Sequence, residues 1–239
     1  IDDSIVGPFD KSSIDKMSSG YLVGGTGWYR KSFTISEADK DKIAFLQFDG
    51  VYMNADIWLN GKHLGFHPYG YTPFCYNITP FLNPIGQSNV VAVRVKNEGQ
   101  NSRWYSGSGI YRHVWLTLVN PLHIDVAGGL FVTTPTITEN SADVKISVTL
   151  VNSGSETKEL VLQAELFDSS GRSAGTTRIN AKVSPGQKNE IEQNISVKNP
   201  ALWSIDNPNL YQAKVSVLTD DKVVDFSSTS FGIRDIKIS

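Results

Sequence analysis

The stretch VKISVTL at residues 144–150 alternates apolar and polar side chains without interruption. Such a period of two buries one face of a β-strand and leaves the other face in water. Residues 211–217 (YQAKVSV) repeat the pattern, whereas 89–95 (NVVAVRV) and 114–119 (VWLTLV) are typical of more fully buried strands. These segments predict a chain built from β-strands.

Turn residues separate the predicted strands. Asn60-Gly61 lies between two apolar runs and predicts a β-hairpin with a type I′ turn, because both central residues of that turn need a positive φ. Asp220-Asp221 separates two further strands in the same way. The best helix candidate, residues 36–42, is only about two turns long. Closely spaced strands without a long helix predict β-sandwiches.

The composition changes near Asn120-Pro121 and predicts two domains. Four of the five tryptophans precede this point, and the chain after it is rich in Ser, Thr and Val. We therefore expect a jelly-roll domain over residues 1–121, where long aromatic loops separate the strands. We expect an immunoglobulin-like β-sandwich over residues 122–239, which offers about seven strand candidates.

The overall composition excludes several classes of protein. The 239 residues carry a net charge of −2 with scattered Lys and Arg, so neither a nucleic-acid partner nor a membrane partner is expected. The single cysteine, Cys75, excludes a disulfide or a cysteine zinc site within the chain. The opening Ile1-Asp2-Asp3 predicts a processed or shortened chain, and leaves both a periplasmic and a cytoplasmic location open.

Catalytic and cofactor motifs are absent from the sequence. It contains no G-x-S-x-G, no H-E-x-x-H and no phosphate-binding glycine loop. His63 and His67 are four residues apart, but they follow a hairpin turn, where this spacing does not form a metal site. Asp49, Asp56 and Glu98 have no pattern that pairs them, so we expect exposed or turn-capping carboxylates. We predict no cofactor and no metal.

The segment from Asn97 to Arg112 (NEGQNSRWYSGSGIYR) combines Arg, Trp, Tyr and amide side chains with flexible glycines between two predicted strands. Aromatic rings stack on the apolar C–H faces of sugars, and Arg and Asn donate directed hydrogen bonds to hydroxyl groups. Loops on a rigid sandwich commonly display such groups. Packing between domains is an equally good explanation of Trp104 and Tyr105, whereas Gly107, Gly109 and Arg112 are expected to shape and anchor the loop.

At this segment the sequence resembles glycoside hydrolase family 2. The resemblance is carried by SRWYSGSGIYRHVWL (102–116), by GWYRKSF (27–33) and by FDGVYMNADIWLNGK (48–62). Later, LWS (202–204), PNLY (208–211) and FGIR (231–234) resemble the immunoglobulin-like domain of the family and its exit. The resemblance covers nearly the whole chain, and its motifs follow the order of the family. Within the family, the chain resembles the β-galactosidase type.

The resemblance implies that the catalytic machinery lies outside this chain. Family members continue into a (β/α)₈ barrel of roughly 250 residues, which carries the acid/base and nucleophile glutamates. No catalytic residue is therefore assigned here. The resemblance implies that the substrate-binding residues Asn97, Arg103, Trp104 and Tyr105 lie at the rim of a pocket that the barrel completes. It implies hydrolysis of terminal β-galactosides, with β-glucuronides and β-mannosides as alternatives, and allows a homo-oligomer through the parent enzyme.

The sequence leaves two other functions open. The chain could be a standalone carbohydrate-binding protein, which predicts sugar binding that is lost in Trp104→Ala. It could also be a purely structural pair of sandwiches, which predicts that Arg103 and Trp104 are buried between the domains.

Overall fold

The computed structural model describes residues 9–14, 16–22, 24–99 and 106–235. Within these residues the structure contains seventeen β-strands and three 3₁₀ helices of three or four residues each. The chain divides into two compact units between Leu118 and Val119. The predicted all-β fold is confirmed: a jelly-roll β-sandwich precedes an immunoglobulin-like β-sandwich.

The first unit contains nine strands, which follow one another along the chain: β1 (Gly25–Thr34), β2 (Ile43–Phe48), β3 (Val51–Tyr52), β4 (Ala55–Leu59), β5 (Lys62–His67), β6 (Phe74–Asn77), β7 (Ser88–Asn97), β8 (Gly109–Ile110) and β9 (Val114–Val119). One sheet has the order β1-β7-β4-β5, and a second has the order β6-β2-β9. The short strands β3 and β8 form a separate pair. Neighbours that are distant in sequence, such as β1 and β7, are typical of a jelly roll.

The core of the first unit follows from the alternation of its strands. In β2 and β7 every second residue is buried, so one face of each strand packs inward. Phe48, Ile57 and Val95 are at most 1% exposed and belong to one apolar cluster. Full burial of such a side chain stabilises the fold by about 1.5–3 kcal/mol.

The second unit contains eight strands: β10 (Leu122–Ile124), β11 (Leu130–Ile137), β12 (Ser141–Asn152), β13 (Lys158–Phe167), β14 (Ser173–Val183), β15 (Lys188–Lys198), β16 (Tyr211–Thr219) and β17 (Lys222–Phe231). In one sheet β12 pairs with β10, β11 and β15. The other sheet has the order β14-β13-β16-β17. The VKISVTL stretch lies within β12, where Val144, Ile146, Val148 and Leu150 are completely buried.

Two predicted hairpin turns have the expected backbone geometry. Asn60 and Gly61 have φ values of 49° and 79° and join β4 to β5. Asp220 and Asp221 have φ values of 50° and 56° and join β16 to β17. The helix candidate at residues 36–42 is shorter than predicted, since only Glu37–Asp39 forms a 3₁₀ turn. In so short a segment, helix propensity alone does not offset the cost of nucleating an α-helix.

Candidate functional site

The segment that follows β7 is fastened by hydrogen bonds on both sides of residues 100–105. Asn97, the last residue of β7, pairs with Gly25 of β1 and is 1% exposed. Its Nδ2 donates to Ser108 Oγ (2.8 Å) and Ser106 Oγ (3.4 Å). The Ser106 amide donates to Ser18 O (2.9 Å). These contacts fix the two ends of the segment at one end of the first sandwich.

The structure describes one of the four predicted substrate-binding residues. Arg103, Trp104 and Tyr105 lie outside the described residues. Asn97 is enclosed, and its amide holds the returning chain. A direct contact between Asn97 and a sugar stays a prediction.

Gly109 shapes the return of the segment into β8. Its φ of 122° is rarely adopted by residues with a side chain. A Cβ at this position would also collide with the Tyr29 hydroxyl. Gly109 pairs with Tyr52 of β3, so the β3–β8 pair carries the chain away from the segment. By contrast, a Cβ at Gly107 would meet no described atom within 4 Å.

Four tyrosines gather beside the β3–β8 pair around the backbone of Gly70, and we call them the tyrosine cluster: Tyr52, Tyr69, Tyr71 and Tyr111. Tyr111 Oη donates to Gly70 O (2.8 Å). The rings of Tyr52 and Tyr71 are 5.3 Å apart, and those of Tyr69 and Tyr71 are 5.6 Å apart and nearly perpendicular. Gly70 permits the close approach, because a Cβ there would collide with the Tyr52 ring.

The tyrosine cluster combines a buried side with an exposed side. Tyr52 is 6% exposed, whereas Tyr69 and Tyr71 are each 55% exposed. Burial, and then the neighbouring Tyr71, raise the pKa of Tyr52 above its usual value of about 10. Tyr52 therefore remains a neutral phenol at physiological pH. The tyrosine cluster was not predicted from the sequence, although the Tyr69-Gly70-Tyr71 pattern indicates an aromatic loop.

Asp49 connects the end of β2 to β9. It accepts hydrogen bonds from Trp115 Nε1 (2.8 Å) and Gln47 Nε2 (3.1 Å). The Trp115 hydrogen bond is the main cause that lowers the pKa of Asp49. A carboxylate held ionised in this way is a poor proton donor, which argues for a structural role of Asp49.

Asp56 differs from the exposed carboxylate that the sequence predicted. It is 8% exposed, and it accepts hydrogen bonds from Arg94 Nη2 (2.6 Å) and His63 Nε2 (2.9 Å). Because the Asp56 carboxylate is largely buried, removing Arg94 would leave a costly unpaired charge there. His67 contacts Thr72 Oγ1 (3.1 Å) instead, so the two histidines have different partners.

The described carboxylates and histidines do not form a metal site. No group of three or more His, Cys, Asp or Glu residues could hold a metal ion in the described part of the chain. None of the helices described here is long and apolar enough to span a membrane. The arrangement presents aromatic and hydrogen-bonding groups, and this chemistry suits recognition of a polar ligand with apolar faces.

The fold defines the class of protein: a jelly-roll β-sandwich followed by an immunoglobulin-like β-sandwich. Residues 14–121 match the family model for the sugar-binding domain of glycosyl hydrolases family 2. Residues 122–234 match a second model of glycosyl hydrolases family 2. The chain therefore belongs to glycosyl hydrolase family 2.

Similar proteins include both β-galactosidases and β-glucuronidases. The β-galactosidase BoGH2A of Bacteroides ovatus is 40% identical over 98% of this chain and 28% of its own length. A putative β-glucuronidase of Formosa agariphila is also 40% identical, over 91% of this chain and 20% of its own length. A crystal structure of a family 2 member from Bacteroides cellulosilyticus superposes with a TM-score of 0.91 at 44% identity, covering 97% of this chain and 30% of that one. The chain thus spans less than a third of these relatives.

Proposed function

We propose that this chain is the non-catalytic N-terminal part of a retaining exo-glycosidase that hydrolyses terminal β-galactosides. The likeness to the Bacteroides ovatus β-galactosidase, at 40% identity over 98% of the chain, is the observation that carries this proposal. In the proposed parent, a barrel supplies the two carboxyl groups of the retaining reaction, which lie about 5–5.5 Å apart.

The role proposed for this chain is to complete the substrate pocket with the segment that follows β7. Support comes from Asn97, whose hydrogen bonds to Ser106 and Ser108 would hold the predicted rim residues Arg103, Trp104 and Tyr105 on a rigid base. A preorganised rim orients a sugar without an ordering cost on binding. The half-exposed Tyr69 and Tyr71 would extend the aromatic surface beside it.

A β-glucuronide is the second candidate substrate. The Formosa agariphila relative, a putative β-glucuronidase, has the same 40% identity as the β-galactosidase. A β-mannoside is a third alternative, which rests on the sequence resemblance alone. The groups that distinguish these sugars would lie largely on the barrel.

Hydrolysis assays on the 239-residue chain and on its complete parent test this proposal. We expect the pure chain to release no nitrophenol from nitrophenyl β-galactoside, because it lacks the catalytic glutamates. We expect the parent to cleave this substrate faster than the matched β-glucuronide and β-mannoside. Hydrolysis by the chain alone would contradict the non-catalytic role, and preference of the parent for the glucuronide would reassign the substrate.

A further inference from the structure

The outer face of the β1-β7-β4-β5 sheet contains a depression created by small residues in register with large ones. Ala92 of β7 pairs with Arg30 of β1 on one side and with Trp58 of β4 on the other. Val90 lies two residues before Ala92 on the same face of β7. Because Ala92 is shorter than both of its neighbours, the sheet surface dips between Arg30 and Trp58.

Two indole rings form the aromatic wall of this depression, which we call the tryptophan groove. The centroids of Trp28 and Trp58 are 5.3 Å apart, and the ring planes are inclined by 31°. Trp28 is 50% exposed, so about half of its ring surface is accessible to a ligand. The groove has a volume of about 630 Å³ and is open to solvent. It can therefore accept an extended ligand from the surface.

The groove has an uncompensated positive charge. The guanidinium of Arg30 lies 5.7 Å from the centroid of the Trp28 ring. Among the described residues, Arg30 has no carboxylate within 4 Å, the distance limit of an ion pair. Arg94, two residues after Ala92 on the same face of β7, instead forms an ion pair with Asp56. An anionic group on a ligand would therefore find a free guanidinium beside an aromatic wall.

We propose that the tryptophan groove binds an acidic oligosaccharide that contains uronic acid residues. Sugar rings present apolar C–H faces that stack on Trp28, and a planar guanidinium accommodates a carboxylate with two parallel hydrogen bonds. Arg30 is in register with Ala92, which lies five residues before Asn97 along β7, or roughly 17 Å at about 3.3 Å per residue. Ala92 is on the outer face of β7, whereas Asn97 is on the buried face, so the groove is a different surface from the segment that follows β7.

Titration of the whole chain with a matched pair of probes tests this inference. The probes are a glucuronic-acid-substituted xylan oligosaccharide and the unsubstituted xylo-oligosaccharide of the same length, followed by calorimetry. We expect the acidic probe to bind at least tenfold more tightly than the neutral one, and its affinity to fall as salt rises, since exposed charges are screened. Equal affinities, or no binding of the acidic probe at millimolar concentration, would overturn the proposal.

Variants locate the binding surface. Trp28→Ala and Arg30→Gln should each weaken binding of the acidic probe at least tenfold, whereas Phe131→Ala, at an exposed aromatic of the second unit, should leave it unchanged. Arg30→Gln removes only a surface charge, so it keeps the test valid if Trp28→Ala fails to fold. Unchanged binding of the acidic probe by the Arg30→Gln variant would exclude the groove as its binding site. Neither result depends on the hydrolysis assays of the parent.

Discussion

Asn60 connects three separate segments of the first unit through one side chain. Its Nδ2 donates to Phe81 O (2.9 Å) and to Asn89 Oδ1 (2.8 Å), and its Oδ1 accepts from the Val90 amide (2.9 Å). The Asn-Gly dipeptide predicted the turn, because that preference is local. It could not predict these contacts, since the partners lie 21 to 30 residues away and are set by the topology of the sheet.

Asn60→Pro should strongly destabilise the first unit. Proline fixes φ near −65°, whereas Asn60 has a φ of 49°, and the substitution also removes the amide that donates to Val90 O. We expect the free energy of unfolding to fall by more than about 1 kcal/mol. Urea denaturation followed by tryptophan fluorescence measures it, because four of the five tryptophans lie before residue 121.

Asn60→Gly is the matched control for this substitution. Glycine accepts the positive φ and keeps the amide hydrogen bond, so only the side-chain contacts are lost. We expect a clearly smaller destabilisation than for Asn60→Pro. Equal stability of the wild-type chain and the proline variant would show that the turn geometry at Asn60 is wrong.

At the scale of single elements, the sequence predicts strands better than it predicts their partners. The alternation of residues 144–150 correctly places a half-buried strand in β12, because burial of one face has a period of two. The two-residue strands β3 and β8 have no such period, and their pairing depends on chain folding between Tyr52 and Gly109. At residues 36–42, the best helix candidate, a side-chain hydrogen bond from Ser36 to Asp39 (2.6 Å) supports a single turn.

The turn between β13 and β14 is organised by Asp168. Its carboxylate accepts hydrogen bonds from Ser170 Oγ (2.6 Å), Ser170 N (2.9 Å) and Arg172 N (3.0 Å). The Ser170 hydroxyl is the largest cause that lowers the pKa of Asp168, to about 2. These groups all bond the ionised form, so the contribution of the carboxylate to the turn requires a charged Asp168.

The stability that Asp168 contributes should vanish at acid pH. A folded-state pKa of about 2 lies below the usual value of 3.8, so the contribution is complete above pH 3.8 and is lost as the pH falls toward 2. The difference in unfolding free energy between wild type and Asp168→Asn should therefore shrink over this range. Ser170→Ala should raise the pKa of Asp168 and so narrow the pH range over which this difference shrinks. A difference that is constant between pH 5 and pH 2 would contradict this assignment.

At the scale of the whole molecule, the sequence predicts the two-sandwich architecture because both domains repeat simple local patterns. Family membership also follows from motifs that are spread over nearly the whole chain. The site is less predictable, since its parts are brought together from distant positions. The tyrosine cluster joins Tyr52, Tyr69, Tyr71 and Tyr111 from three separate segments, and no local pattern encodes that assembly.

The central claim is that the segment after β7 completes the substrate pocket of a family 2 glycosidase. The most direct test is kcat/KM for nitrophenyl β-galactoside, measured on the complete parent with Trp104→Ala and with Phe226→Ala, an exposed aromatic of the second unit, as control. The account predicts at least a tenfold loss for Trp104→Ala, equivalent to about 1.4 kcal/mol of transition-state stabilisation, and no loss for the control. Full activity in a correctly folded Trp104→Ala enzyme would contradict it.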